Sequence, residues 1–201
     1  MATHGVRRRL QSRCGERGAA MVEMAIILPF MVSLVMGTVE FGQGWQANLR
    51  VQSATRSAGR TGSSLAKDRQ ADYFMLQTLE AGLTKFTAAE VRRIVIYKVT
   101  TANGEPTPGC KAGTPALNVC NVYTGAQMNT LTPASFTGTT CPVGSVDYSW
   151  CPDRRDNSQA AADQLGVWVE VFYTYRTGFF HGSGITMTHY VVMRIEPKVG
   201  T

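Results

Sequence analysis

Between Met24 and Val39 the chain runs for sixteen residues without a charge. Extended back to Ala19, the stretch holds 21 residues and one charge, Glu23. As a helix it measures about 31 Å, which matches a hydrocarbon core of about 30 Å. A segment like this cannot join an ordinary soluble surface, so it dictates the rest of the reading. Its flanks are unequal. Arg7, Arg8, Arg9, Arg13 and Arg17 precede it, with Glu16 as the one opposing acid, and nothing comparable follows until Arg50, Arg56 and Arg60. The positive-inside rule then puts residues 1–18 in the cytosol and everything after the span outside. Pro29 sits within the span; it removes a backbone donor, which membrane helices tolerate.

The same flank explains the overall charge. The 201 residues carry 20 Lys and Arg against 14 Asp and Glu, a formal +6. Five arginines and one acid in residues 1–18 supply +4 of it, and the remaining 183 residues carry only +2. Such a diffuse charge offers no concentrated phosphate-binding surface, so nucleic acid is not an expected partner.

Three fates suit the apolar run: a secretory signal peptide cut after it, near Val35-Met36-Gly37; a plain single-pass anchor; or a leader cut before it, so that the helix is retained. Glu23 favours the third. A carboxylate inside a membrane span costs about 2.5–3.5 kcal/mol at its centre on insertion scales and is usually functional. Cleavage after Gly18 would make Ala19 a new N-terminus whose amine lies one helical turn from the Glu23 carboxylate. Pairing the two offsets the desolvation of both. The alternative is that Glu23 snorkels to the headgroups.

These residues carry a resemblance. Gly15-Glu16-Arg17-Gly18-Ala19-Ala20-Met21-Val22-Glu23-Met24, the apolar run with Leu28-Pro29, and Gly37-Thr38-Val39-Glu40-Phe41-Gly42 together resemble the N-terminus of TadE-like pseudopilins. These are minor pilin-like proteins of the tight-adherence (Flp) pilus, a type IV pilus relative. Leu49 to Arg60 resembles the family's small-residue, Arg-containing helix, and Thr186-Met187-Thr188 with Met193-Arg194-Ile195-Glu196 its final strand. The resemblance implies a prepilin-type leader, a processing site at Gly18 and Ala19, and an assembly role for Glu23 as the fifth mature residue. It implies the membrane, a prepilin peptidase, other pilin or pseudopilin subunits and the pilus assembly platform as partners. Met24 stands where major Flp pilins often have an aromatic, and the chain is much longer than those pilins; both features favour a minor subunit.

The expected organisation is a leader at 1–18, a transmembrane helix at 19–45, a helical extension at 46–66 and an extracytoplasmic α+β domain at 67–201. Ala47, Val51, Ala54 and Ala58 keep a helical spacing through the extension, and Glu40, Gln43 and Asn48 mark the exit from the membrane, where Trp45 suits the interface. The small-residue stripe permits close helix packing, either on its own domain or on a partner. Leu76, Leu79, Leu83 and Phe86 predict a second helix over about 69–86, capped by Asp68. Residues 93–100 read as a strand. Val167, Val169, Val171, Tyr173 and Tyr175 alternate on one strand face, and Ile185, Met187, His189, Val191, Met193 and Ile195 on another. The Gly-rich connection from Thr177 to Gly184 suits an antiparallel hairpin.

Residues 101–150 contain 27 Gly, Pro, Ser, Thr or Asn, within a long loop region spanning 101–163. A loop of that length is functional, disordered or cross-linked. Cys110, Cys120, Cys141 and Cys151 favour cross-linking, because disulfides persist outside the cytosol. Three pairings are open; the sequential one, Cys110–Cys120 with Cys141–Cys151, is preferred and the nested one is nearly as good. Zinc is the weaker rival, since the region has no C-x-x-C pair and no histidine. Cys14 lies in the leader and would leave with it.

No phosphate-binding loop, dinucleotide fingerprint, zinc-protease helix or serine-hydrolase elbow occurs in the sequence. His189 is expected in the core and His181 in an exposed turn. Asp153-Arg154-Arg155-Asp156 reads as a solvated, self-neutralising turn, and Trp150 and Trp168 as core. No cofactor, metal or catalytic residue is expected, and the chain reads as a structural component, not an enzyme. A membrane-anchored or secreted surface-binding protein unrelated to pili is the alternative.

Overall fold

The computed structural model describes residues 8–65, 67–136, 141–177 and 182–197, with side chains from Gly18 onward. Most of the leader's side chains, Cys14 among them, lie outside the described residues, as do His181 and the centre of the Gly-rich connection. Helix α1 runs from Arg8 to Leu65, 58 residues, with Pro29 inside it. The chain divides into two compact units: Met1–Gln43 with Tyr175–Gly182, and Gly44–Thr174 with Ser183–Thr201.

The first unit is dominated by the apolar part of α1. Met21, Met24, Ile26, Phe30 and Leu34 are each at least 60% exposed, so this surface lacks any partner within the chain. It is long and apolar enough to cross a membrane.

The second unit is an α+β domain. Helix α2 (Ala71–Gly82) and the last turns of α1 cover one face of a four-stranded antiparallel sheet. The strands are β1 (Val91–Lys98), β2 (Cys120–Tyr123), β3 (Gln164–Thr174) and β4 (Gly184–Arg194), in the spatial order β2-β1-β3-β4. Alternation decides what each face buries. Ile94 and Ile96 of β1 and Leu165, Val167, Val169 and Val171 of β3 point to the helices, where they meet Val51, Ala54, Ala58, Met75, Leu76 and Leu79. Val95, Tyr97 and Trp168 point the other way and pack on Cys110 and Cys120. Both faces of β1 and β3 are therefore covered, which is why β3 is buried almost continuously.

The small-residue stripe of α1 is consumed inside this unit. A Cβ on Gly59 would come within 2.6 Å of Val191 Cγ1, and one on Gly82 of α2 would press on the Ala54 side chain. Small residues are what let α1 approach α2 and the sheet so closely.

Several expectations shift. Helix α2 is shorter than 69–86: Leu83 is its C-cap, and Phe86 packs on the core from beyond the end. Asp68 does not cap that helix through its side chain; its carboxylate accepts from the N–H of Gln70, closing a local turn that precedes it. Strand β1 begins two residues earlier than expected and ends at Lys98. The long loop is more ordered than its composition suggests. It holds β2, helix α3 (Pro108–Lys111), helix α4 (Gly125–Thr130) and three short 3-10 turns. A capping box starts α4: Thr124 Oγ1 accepts from Gln127 N–H, and Gln127 Oε1 accepts from Thr124 N–H. Ile185, expected on the apolar face of β4, is 48% exposed.

Candidate functional site

Gly18, Ala19 and Glu23 lie on exposed helix. Among the described residues, a Cβ at Gly18 would meet nothing within 4 Å. Ala19 and Glu23 are four residues apart and so share one face of the helix. Beyond them Met24, Ile27, Leu28, Met31, Val32, Val35 and Met36 line a shallow apolar groove along α1. Its chemistry is that of a surface made for lipid tails or for another apolar helix.

The apolar run ends at a carboxylate with a defined job. Glu40 is 1% exposed. Its Oε1 accepts from the N–H of Arg176 and its Oε2 from that of Thr177, both at 2.9 Å. The sequence suggested a residue marking the exit into water. Instead the carboxylate is buried and holds the backbone just after β3. Charge-assisted bonds of this kind are about twice as strong as neutral ones.

The α+β domain has its own polar centre. Asp72, at the start of α2, is fully buried. Its Oδ2 accepts from Asn121 Nδ2 at 2.9 Å and from the Tyr123 hydroxyl at 2.8 Å, and its Oδ1 accepts from Arg155 Nη2. Asn121 bonds both ways to the Trp150 backbone, at 2.9 and 2.8 Å. The Arg155 guanidinium lies 4.6 Å from the Trp150 ring centre, in cation–π contact. Burial, then the neighbouring Asp72 and Asp147 charges, push the Tyr123 hydroxyl well above its ordinary range. Burial and the Asp72 charge push Asp147 up to about 6. This knot fastens α2, β2 and the second cysteine loop together. Arg155 therefore corrects the expectation of a solvated, self-neutralising turn at 153–156: it is buried and paired with a residue 83 positions away.

The cysteines pair sequentially. Cys110–Cys120 and Cys141–Cys151 each close a ten-residue separation, with Cα atoms 6.4 and 5.8 Å apart. The first bond braces the sheet face opposite the helices, beside Trp168; the second holds the loop that carries Trp150. Trp150 and Trp168 are core residues, 1% and 6% exposed. His189 is half-buried, with Nε2 2.7 Å from Asn48 Oδ1, and burial followed by the Arg56 charge lowers its pKa.

Gly18, Ala19 and Glu23 thus sit on the exposed helix, while the four cysteines are joined in the α+β domain. Sequence reasoning missed Glu40 as a clamp and the Asp72–Arg155 pair. The first left a signal, a lone acid closing an uncharged run. The second left none, since nothing local relates Asp72 to Arg155.

The architecture defines a class: an apolar helix fit to anchor in a membrane, followed by a disulfide-braced α+β domain. Residues 18–60 match the model of the family described as TadE-like protein. The match spans the helix from the glycine before the apolar run to the last exposed arginine, and is consistent with a TadE-like component associated with the Flp (Tad) pilus. No curated protein and no solved structure matches the chain.

Proposed function

We propose that the chain is a minor, non-enzymatic pilin-like subunit of a Flp-type pilus. In this reading it inserts with residues 1–18 in the cytosol and its α+β domain outside. A prepilin peptidase cuts after Gly18. The helix from Ala19 then leaves the bilayer or stays in it by packing against other pilin helices, with Glu23 facing an N-terminal amine on its own or a neighbouring subunit. The role is structural: to prime, cap or anchor the fibre on the assembly platform.

The observation that carries this reading is the exposed apolar face from Met21 to Val39, joined to a family match that starts at Gly18. A bilayer alone accounts for the apolar face, but an acid four residues past Ala19 asks for a cationic partner.

Mass spectrometry of the protein from its own cells tests it. An N-terminus at Ala19 is expected, and Gly18→Trp should leave the leader attached. An intact Met1, or a terminus near Thr38, would sink the reading and favour a plain anchor or a secreted binding protein. In the pilin reading Glu23→Val inserts normally but is incorporated poorly.

A further inference from the structure

The last turns of α1 present an exposed cationic face, whose Arg56 stands near enough to His189 to lower its pKa. Arg50, Arg56 and Arg60 are all exposed. At 100° per residue they fall within about 120° of the helix circumference, Arg56 and Arg60 on the side away from the buried Val51, Ala54 and Ala58 and Arg50 at the edge of that stripe. Ser53 and Ser57, also exposed, lie between them. Among the described residues, none of the three arginines takes part in an ion pair. From Phe41 to Leu65 the helix carries no acid at all. An exposed helix usually intersperses both signs, because i,i+4 pairs help it and like charges cost it. Here three cations share one face without internal compensation.

We propose that this face docks an acidic helical surface of a different protein of the same membrane assembly. Charge and distance select that occupant. A second copy meeting this face with its own would bring the same three cations together, and like charges juxtaposed at an interface cost several kcal/mol. Anionic headgroups can reach Arg50 at most, about 8 Å along the helix from Trp45. If Trp45 marks the interface, Arg56 and Arg60 stand about 16 and 22 Å further along the helix, well beyond a Debye length of about 8 Å. A partner with Asp or Glu at spacings of three or four on a helix running beside α1 meets all three arginines. The serines between them are small enough to let it come close. The proposal rests on the pilus reading only for the identity of the assembly.

The test is photocrosslinking in living cells, with a benzophenone amino acid at Ser53 of the full chain. The expected adduct joins a different protein through a peptide bearing Asp or Glu at helical spacing. Its yield should fall about tenfold or more in R50E/R56E/R60E, where attraction becomes repulsion, and survive in R50K/R56K/R60K. Charge reversal in the partner peptide should restore the adduct to the reversed variant, which a misfolded domain would not permit. An adduct to lipid or to a second copy, no adduct, or a yield indifferent to charge reversal overturns the proposal. An intact Met1 together with a charge-dependent adduct would defeat the pilin reading and leave this one standing. A terminus at Ala19 without such an adduct would do the reverse.

Discussion

The two parts of α1 share one helix and have opposite fates. Both carry Ala and Gly, but residues 18–39 are rich in Met, Val, Ile and Leu with one charge, whereas residues 44–65 hold three Arg, several Ser and Thr, and a single Val. Residues 18–39 expose nearly every side chain, including Phe30 at 77%. Residues 44–65 bury Val51 and Ala58 completely and expose arginines and serines, together with Trp45 and Leu49 near the membrane-side end. Composition, side-chain size and charge distribution all separate them. The first part is bulky all round, which suits a continuous apolar medium. The second alternates small residues with arginines, which suits one close protein neighbour and one open face. The same helix is thus built for two environments, and each half is tuned to what lies against it.

Four effects, read from five substitutions, break or sharpen this contrast. The largest is expected at the polar knot of the α+β domain. Asp72→Ala leaves Arg155 buried without its carboxylate, and should lower domain stability by about 3–5 kcal/mol in urea unfolding. Next, Gly59→Leu forces a side chain into Val191 and should cost about 1–3 kcal/mol. Gly42→Leu, where a Cβ would meet nothing within 4 Å, should change the same measurement by no more than about 0.5 kcal/mol. If both glycines behaved alike, the distinction between a packed and an open helix would fail.

A third effect lies at the end of the apolar run. Glu40→Gln keeps one acceptor and loses the charge, so the amides of Arg176 and Thr177 should exchange faster by about tenfold, read by hydrogen exchange. Unchanged protection would mean that Glu40 is not what holds that segment.

The smallest is a pH effect. Asp147 titrates near 6 in the fold because burial and Asp72 disfavour its charge. Unfolded, it titrates at about 3.9. Its folded pKa is therefore raised, so its protonated form favours the fold. That contribution is complete below about pH 4 and is lost as pH rises through 6. Asp147→Asn should accordingly stabilise the domain at pH 8 by about 1–2 kcal/mol relative to the native chain, and the difference should shrink on acidification toward pH 4. A difference independent of pH would assign Asp147 no such penalty. His189 pulls the other way, since its lowered pKa makes protonation unfavourable to the fold as pH falls, so the native chain's own profile is a balance of the two.

Much of the fold could be read from local pattern. The long helix, α2, β1 and the β3–β4 pair follow from periodicity, because a 3.6-residue or two-residue repeat of apolar side chains has few ways to bury itself. The ends were less legible: Leu83 and Phe86 keep the helical spacing of α2 but lie beyond its last residue, and contact with the core does not require helix. Strand β2 was not anticipated at all. Cys120 to Tyr123 is four residues in a Gly- and Thr-rich stretch, and it becomes a strand because β1 offers an open edge to pair with. The candidate assembly surface was visible as sequence, since Glu23 and the uncharged run need no partner to be recognised. Arg155 was not, because a basic residue in a charged quartet looks solvated until a distant carboxylate is placed beside it.

The sequence by itself determined the apolar span, its asymmetric basic flank, the position of Glu23 and the supply of four cysteines beyond the span. These depend on composition and order along the chain, and hydrophobic length and charge are local quantities. Only the tertiary structure decided that the small-residue stripe serves its own domain, that the cysteines pair in sequence order, and that Glu40, Asp72 and Arg155 are buried with partners. Each of those depends on which groups come together across tens of residues. Burying a charge is tolerable only where such a partner waits, and no local pattern records one 83 positions away.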